Sequence, residues 1–363
     1  MEKNKSKAKR WIMIGFLVLL AMILICLFVL FITFRNEIKS LKSLKKIDDY
    51  GMYTMTYYGD YGFDEFLKQG AENDSEIEDF IVKRLLKGLS IQINVTGGGC
   101  TAFAVKNENQ EILFARNFDF VYAPSMHLYT KPANGYASVS TVNLSFAGYS
   151  KDHLPTEGLS IDSFLTLAAP YLPFDGMNEK GVAIALLAVP EAQINNDDQK
   201  VTLNSTTMIR LVLDKAADVN EAIDLMKSYN IYFSGDIDCH YLIADSTGKS
   251  VLVEYYDNAL QVVEADTSYQ IASNFIAFND LRIGEGYTEF ERYDTVEETI
   301  RNHRNSLSAE NAMDLLNEVG VYDTDGTDKL QWSVVYNLTE KTGRIWAHRN
   351  TDNLFEFTLD RHS

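Results

Sequence analysis

Cys100 follows the glycine run Gly97-Gly98-Gly99, and sixteen residues later comes Arg116-Asn117-Phe118-Asp119. Two alternating apolar runs lie between, Ala102-Phe103-Ala104-Val105 and Ile112-Leu113-Phe114-Ala115. They flank the polar turn Asn107-Glu108-Asn109-Gln110, which is the pattern of a β-hairpin. A turn centred on residues 108 and 109 makes cross-strand partners sum to 217, so Thr101 faces Arg116 and Cys100 lies beside Asn117. A guanidinium then sits within reach of a thiol, with a carboxylate just past the strand end. A nearby cation lowers a thiol pKa and raises its thiolate fraction. This is the layout of a nucleophile site.

The elements that must position it come in blocks. Strand-like patterns cover 101–105, 111–117, 181–188, 240–245, 250–255, 260–264, 268–272, 332–338, 343–348 and 354–359, with a further one at 90–95. Helical patterns cover 160–170, 204–215, 218–229, 288–303 and 308–318, and 63–89 reads as two short helices broken near Gly70 and Asn73-Asp74-Ser75. Hairpins beside helices, without regular βαβ alternation, indicate an α+β layered domain rather than a parallel doubly wound sheet.

The N-terminus is of another kind. A basic tail, residues 1–10, precedes an uncharged apolar run from Trp11 to Phe34. Its 24 residues would span about 36 Å as a helix, enough to cross a bilayer with some tilt. A cleavable signal is the competing reading, but the run is long for one and no small-x-small cleavage site follows. Five basic residues precede the span and five follow it closely (Arg35, Lys39, Lys42, Lys45, Lys46), so the charge rule for orientation is nearly balanced. The expected arrangement keeps the short tail in the cytoplasm and the body outside, as a single-pass membrane protein. Residues 36–49 read as a basic helical stalk. Residues 1–46 hold ten Lys/Arg and two Glu, a net of +8, so the overall −18 leaves −26 for the rest. An acidic body of this kind argues against a nucleic-acid partner.

Beyond the apolar run only Cys100 and Cys239 remain, too few for a disulfide framework, although a bridge between them stays open. Cys239 adjoins His240, but one such pair lacks the further ligands a metal needs, and alternate strand faces separate them. Asp323-Thr324-Asp325-Gly326-Thr327-Asp328 resembles a calcium loop but lacks the terminal Glu. Neither a metal nor another cofactor is expected.

Cys100-Thr101, Ala115-Arg116-Asn117-Phe118-Asp119 and Asp175-Gly176-Met177-Asn178-Glu179-Lys180-Gly181 together resemble the choloylglycine hydrolase family of linear amide C–N hydrolases. That family includes bile salt hydrolases and penicillin V acylases, with penicillin acyltransferases and acid ceramidase-like amidases as relatives. The likeness continues through His240–Glu254, Ala272-Ser273-Asn274, Glu291-Arg292-Tyr293 and Trp332-Ser333-Val334-Val335-Tyr336. It implies an N-terminal nucleophile (Ntn) hydrolase, a four-layer αββα sandwich preceded here by a transmembrane helix and a helical pro-segment. The implied division is a tail (1–10), a membrane helix (11–34), a stalk and pro-segment (35–99) and a catalytic domain (100–363).

The resemblance also implies roles. Cys100 corresponds to the nucleophile, which must become the first residue of its chain so that its α-amino group can act as base. Arg116 favours the thiolate and orients substrate, Asp119 holds the α-ammonium, Asn274 donates to the oxyanion, and Arg292 supports the charge network. The glycines suit a self-cut between Gly99 and Cys100. One departure stands out: Ala188 occupies the place of a second oxyanion asparagine of bile salt hydrolases. Phe118, Phe120, Tyr122 and Phe174 are candidates for an acyl pocket. The expected activity is hydrolysis of small N-acyl amides by a membrane-anchored enzyme. Acyl transfer to an amine, or an inert tethered binding protein, are the alternatives, and a homo-oligomer is left open.

Overall fold

The computed structural model of the 363-residue chain describes residues 2–88, 99–284, 286–322 and 326–359. The expected strand at 90–95, Gly97, Gly98 and the Asp323-Thr324-Asp325 stretch lie outside the described residues.

Before Cys100 come helices α1 (Glu2–Thr33) and α2 (Arg35–Ser43), strands β1 (Lys45–Lys46) and β2 (Met52–Tyr57), and helices α3 (Phe63–Gln69) and α4 (Asp74–Arg84). The hairpin β3 (Gly99–Lys106) and β4 (Ile112–Asp119) follows, then β5 (Ser125–Thr130), β6 (Ser138–Asn143), β7 (Pro173–Asn178) and β8 (Ala183–Ala188). The short strands β9 (Thr202–Asn204) and β10 (Asn230–Tyr232) bracket helices α5 (Ser205–Lys215) and α6 (Val219–Lys227). Next are β11 (Cys239–Ala244), β12 (Ser250–Tyr256), β13 (Ala259–Glu264), β14 (Gln270–Ala272), β15 (Phe275–Ile276) and β16 (Ile283–Gly284). Helices α7 (Tyr287–Asn302) and α8 (Ala309–Glu318) and strands β17 (Leu330–Asn337), β18 (Thr342–Ala347) and β19 (Phe355–Thr358) complete the chain.

Two large sheets result. The larger has nine strands in the order β1-β2-β5-β6-β7-β8-β11-β12-β13, and the smaller has six in the order β14-β3-β4-β17-β18-β19. Helices α5 and α6 cover the larger sheet, α7 and α8 cover the smaller, and the inner faces of the sheets meet where β3 crosses β8 and β11. The layers are α, β, β, α. A satellite core of Phe103, Val105, Leu113, Val296, Ile300, Met313, Leu316 and Trp346 seals α7 and α8 onto the smaller sheet.

The hairpin that carries Cys100 is offset by one residue from the sequence expectation. Asn107 Oδ1 accepts from the N–H groups of Asn109 and Glu111 at 2.9 Å each, and Gln110 takes a left-handed φ of 63°. A type I turn closed by a left-handed residue adds one position to the loop. Partners therefore sum to 218: Cys100 faces Phe118, Thr101 faces Asn117 and Ala102 faces Arg116. Side chains alternate faces along a strand, so Cys100 and Arg116 now share one face. The expected register would have separated them.

The motif that begins at Asp175 has a packing logic. A Cβ at Gly176 would lie 2.5 Å from the Val139 carbonyl oxygen and 2.7 Å from Leu213 Cδ1, so only glycine lets α5 settle on β7. Asn178 donates to the Leu213 and Ala216 carbonyls at the end of α5 and accepts from the N–H groups of Lys180 and Val182. Helix α5 opens with a reciprocal cap: Asn204 Oδ1 accepts from Thr207 N–H at 2.8 Å, and Thr207 Oγ1 accepts from Asn204 N–H at 2.9 Å.

The expected stalk departs most from the sequence reading. Helix α2 ends at Ser43, and β2 runs parallel to β5, adding two strands to the edge of the larger sheet. The Tyr61 hydroxyl lies 2.8 and 2.7 Å from the two carboxylate oxygens of Asp214 on α5. Phe63, Phe66, Phe80 and Tyr171 form an aromatic cluster beside it. Burial of Leu41, Met55, Phe66, Ile77 and Ile81 makes residues 40–86 part of the main core. The expected helix at 160–170 is a 3₁₀ helix, Phe164–Tyr171.

Candidate active site

Cys100 sits on β3 with 2% of its surface exposed. Its Sγ lies 3.4 Å from Arg116 Nη2. Its backbone N–H donates to Asn274 Oδ1 at 2.7 Å, and its carbonyl accepts from Arg292 Nη1 at 2.6 Å. Arg292 also donates to Thr101 Oγ1 at 2.7 Å, to Asn274 Oδ1 at 2.8 Å and to the Thr288 carbonyl. Asn274 Nδ2 donates to the Ala188 carbonyl at 2.7 Å. A guanidinium only donates and a carbonyl only accepts, so these two neighbours fix which way the Asn274 amide points. Position 188 thus holds the amide through its backbone, where the resemblance implied a second asparagine.

Arg116 is fully buried and spans the two sheets. Nη1 donates to Asp175 Oδ2 at 2.7 Å, and Nη2 donates to the Leu186 carbonyl at 3.0 Å as well as facing the sulfur. Asp119, across from Gly99, accepts from Val321 N–H at 2.9 Å through Oδ1. Its Oδ2 is buried, has no hydrogen bond among the described residues and lies 3.9 Å from Arg292 Nη1. Removal from water pushes the Asp119 carboxyl up to about 6, with Arg292 opposing.

The thiol behaves differently from the sequence expectation. Burial raises the Cys100 pKa, and the Arg116 guanidinium only partly offsets it. In the continuous chain desolvation outweighs the cation, so Cys100 is held as a thiol that needs a base.

The five residues singled out in the sequence, Cys100, Arg116, Asp119, Asn274 and Arg292, meet in one polar cluster. On one side Cys100 opens on a small apolar cavity of about 50 Å³, lined by Phe118, Phe120, Phe146, Phe174, Leu186 and Cys239. Tyr122 is elsewhere, with its hydroxyl on the Tyr50 carbonyl and its ring stacked on His348. A second cleft lined by Gly99, Asn274, Glu289 and Arg292 adjoins the other side. Cys239 is a free thiol, pushed up to about 12 by burial. His240 points away from it and meets Glu254 at 2.9 Å. Glu254 in turn accepts from the N–H groups of Ala277 and Phe278, which pins the segment just past Asn274.

Asp175 and Thr101 are the polar members that sequence reading left without a role. Asp175 stood inside a quoted motif, but an acid in a strand carries no periodic signal. Its partners lie 59, 157 and 161 residues away.

Comparison with known proteins is consistent with this architecture. The sequence profile of the linear amide C–N hydrolases, choloylglycine hydrolase family, matches residues 100–313. A bile salt hydrolase/transferase of Clostridium perfringens is 29% identical over 180 residues, covering 46% of this chain and 50% of that protein. A penicillin V acylase of Pectobacterium atrosepticum is 29% identical over 116 residues, covering 29% of this chain and 31% of that protein. The chain spans half the length, or less, of these curated relatives. Among solved structures, a variant of the conjugated bile acid hydrolase from Clostridium perfringens superposes with a TM-score of 0.53 at 18% identity, over 73% of this chain and 93% of that one. Penicillin V acylase from Agrobacterium tumefaciens gives 0.51 at 18% identity, over 72% and 87%. At such identity the likeness establishes an Ntn-hydrolase-like α+β fold.

Proposed function

The chain belongs to the choloylglycine hydrolase family of linear amide C–N hydrolases, and on that basis we propose that it is a membrane-anchored cysteine amidohydrolase acting on small N-acyl amides. The observation that carries the reading is where the Cys100 nitrogen lies: buried in the polar cluster, 2.7 Å from Asn274 and on the strand paired with Asp119. A cut between Gly99 and Cys100 would turn that amide into an α-amine inside the site, with an ordinary pKa of about 7.7–8.0. The orphaned Asp119 Oδ2 offers it an acceptor.

The chemistry then runs in two halves. Sγ attacks the substrate carbonyl as the α-amine takes the thiol proton, and the second N–H of Asn274 Nδ2 is the donor available to the tetrahedral oxyanion. The C–N bond breaks as the amine leaves with that proton, which gives an acyl-cysteine. Water attacks next, its proton passes to the α-amine, the acid is released and the thiol is restored. The apolar cavity suits an apolar acyl group.

Anchoring rests on the 23-residue apolar stretch Trp11–Thr33, whose described side chains are all exposed. The catalytic body would face the extracytoplasmic side, which protease protection of oriented vesicles tests. After the cut, residues 35–88 would stay bound through β2 and Tyr61.

Mass spectrometry and amide turnover provide the test. The wild type should carry Cys100 as a new N-terminus, Cys100→Ala should lose both cutting and turnover, and Cys100→Ser should keep slowed cutting with turnover strongly depressed. Amidase activity retained in Cys100→Ala would remove the mechanism. A second reading, acyl transfer to an amine, is favoured by the transferase half of the C. perfringens relative's name. Transfer product on adding an amine acceptor would select it.

A further inference from the structure

Asp175 stands on β7 of the larger sheet, yet its carboxylate accepts hydrogen bonds from three side chains of the smaller one. Arg116 Nη1 on β4 donates at 2.7 Å, and from β17 Trp332 Nε1 donates at 2.9 Å and the Tyr336 hydroxyl at 2.6 Å. Asp175 and Arg116 are both fully buried. The guanidinium also lies 4.8 Å from the Phe118 ring and 5.3 Å from the Trp332 ring.

From this we infer that Asp175 is a positioning residue that aims Arg116 at the Cys100 sulfur. A guanidinium is planar, so fixing two nitrogens fixes the third direction. With Nη1 on Asp175 and Nη2 on the Leu186 carbonyl, the remaining N–H of Nη2 points at Sγ. Asp175 also supplies the counter-charge that a buried cation requires. Trp332 and Tyr336 hold the carboxylate, so the smaller sheet's own strands set the aim. The carboxylate itself makes no hydrogen bond to the sulfur. This assignment rests on the reading that Cys100 is the reacting group.

A double-mutant cycle decides it. Full-length wild type, D175A, R116A and the double variant are compared for amide turnover and for iodoacetamide alkylation of the Cys100 peptide at one pH. Each single change is expected to slow both about tenfold or more with KM nearly unchanged, and the double should match R116A within about twofold. Alkylation of D175A at the wild-type rate, or losses that multiply in the double variant, would overturn the assignment. D175N keeps an acceptor for Nη1 and guards against misfolding of D175A. It should alkylate several-fold more slowly, and wild-type behaviour counts against the idea. The alkylation cycle needs no substrate, so it still decides the coupling if Cys100→Ala retains turnover and the amidase reading falls.

Discussion

The buried carboxylate of Asp119 makes the site sensitive to pH before any substrate arrives. Its folded pKa, about 6, lies above the 3.8 of an unperturbed aspartate because burial disfavours its charge. The folded state therefore binds this proton more tightly than the unfolded chain. Its contribution to stability is complete below about 3.8 and is lost as pH rises through about 6, on the order of 3 kcal/mol in all. Urea unfolding of the uncut Cys100→Ala chain should show this decline between about pH 4 and 7, and Asp119→Asn should flatten it. At this scale the sequence was informative where chemistry is local. Cys100, Arg116 and Asp119 belong to one hairpin, so spacing brought them near one another, although its register, off by one, put Cys100 and Arg116 on opposite faces. What spacing missed was the sign of the thiol shift, since desolvation by two sheets does not show in a linear pattern.

Among the elements, β7 and α5 show what packing demands of single residues. Gly176→Ala would push a methyl into the Val139 carbonyl and Leu213, so unfolding stability should fall by about 1–3 kcal/mol, read from denaturant midpoints at unchanged slope. Asn204→Ala removes the reciprocal cap of α5 and should cost about 1–2 kcal/mol in the same assay. Hairpins with clean alternation, such as β3–β4 and β17–β18, were legible to within two residues. Strands β5 and β6 were not. Ser-Met-His-Leu-Tyr-Thr and Ser-Val-Ser-Thr-Val-Asn are buried on both faces, so polar and apolar residues follow no period of two. Two of their hydroxyls meet Arg210, which reaches Thr130 Oγ1 and Ser138 Oγ from α5. The turn of the β3–β4 hairpin failed by one position because the left-handed Gln110 is not a residue that announces such a turn.

Across the whole molecule, the layered α+β class followed from hairpins beside helices and the αββα order from the family resemblance, while the role of residues 35–88 followed from neither. A basic, helix-like stretch after an apolar span reads as a spacer, and nothing local shows that Met52–Tyr57 will pair in parallel with a strand some 70 residues later. Parallel pairing of this kind depends on the assembled sheet. If the chain is cut before Cys100 as proposed, the two pieces should co-purify in mild detergent and separate only under conditions that unfold the body. Tyr61→Phe removes the bridge to Asp214 and should lower the temperature at which the smaller piece is lost, read by size-exclusion chromatography after heating. If the proposed anchor and cut both hold, the parallel seam between β2 and β5 would leave the larger piece attached to the bilayer by folding alone. Heat, acid or a mutation that loosens that seam would then shed the catalytic piece from the membrane, so solubility and denaturation would become one event.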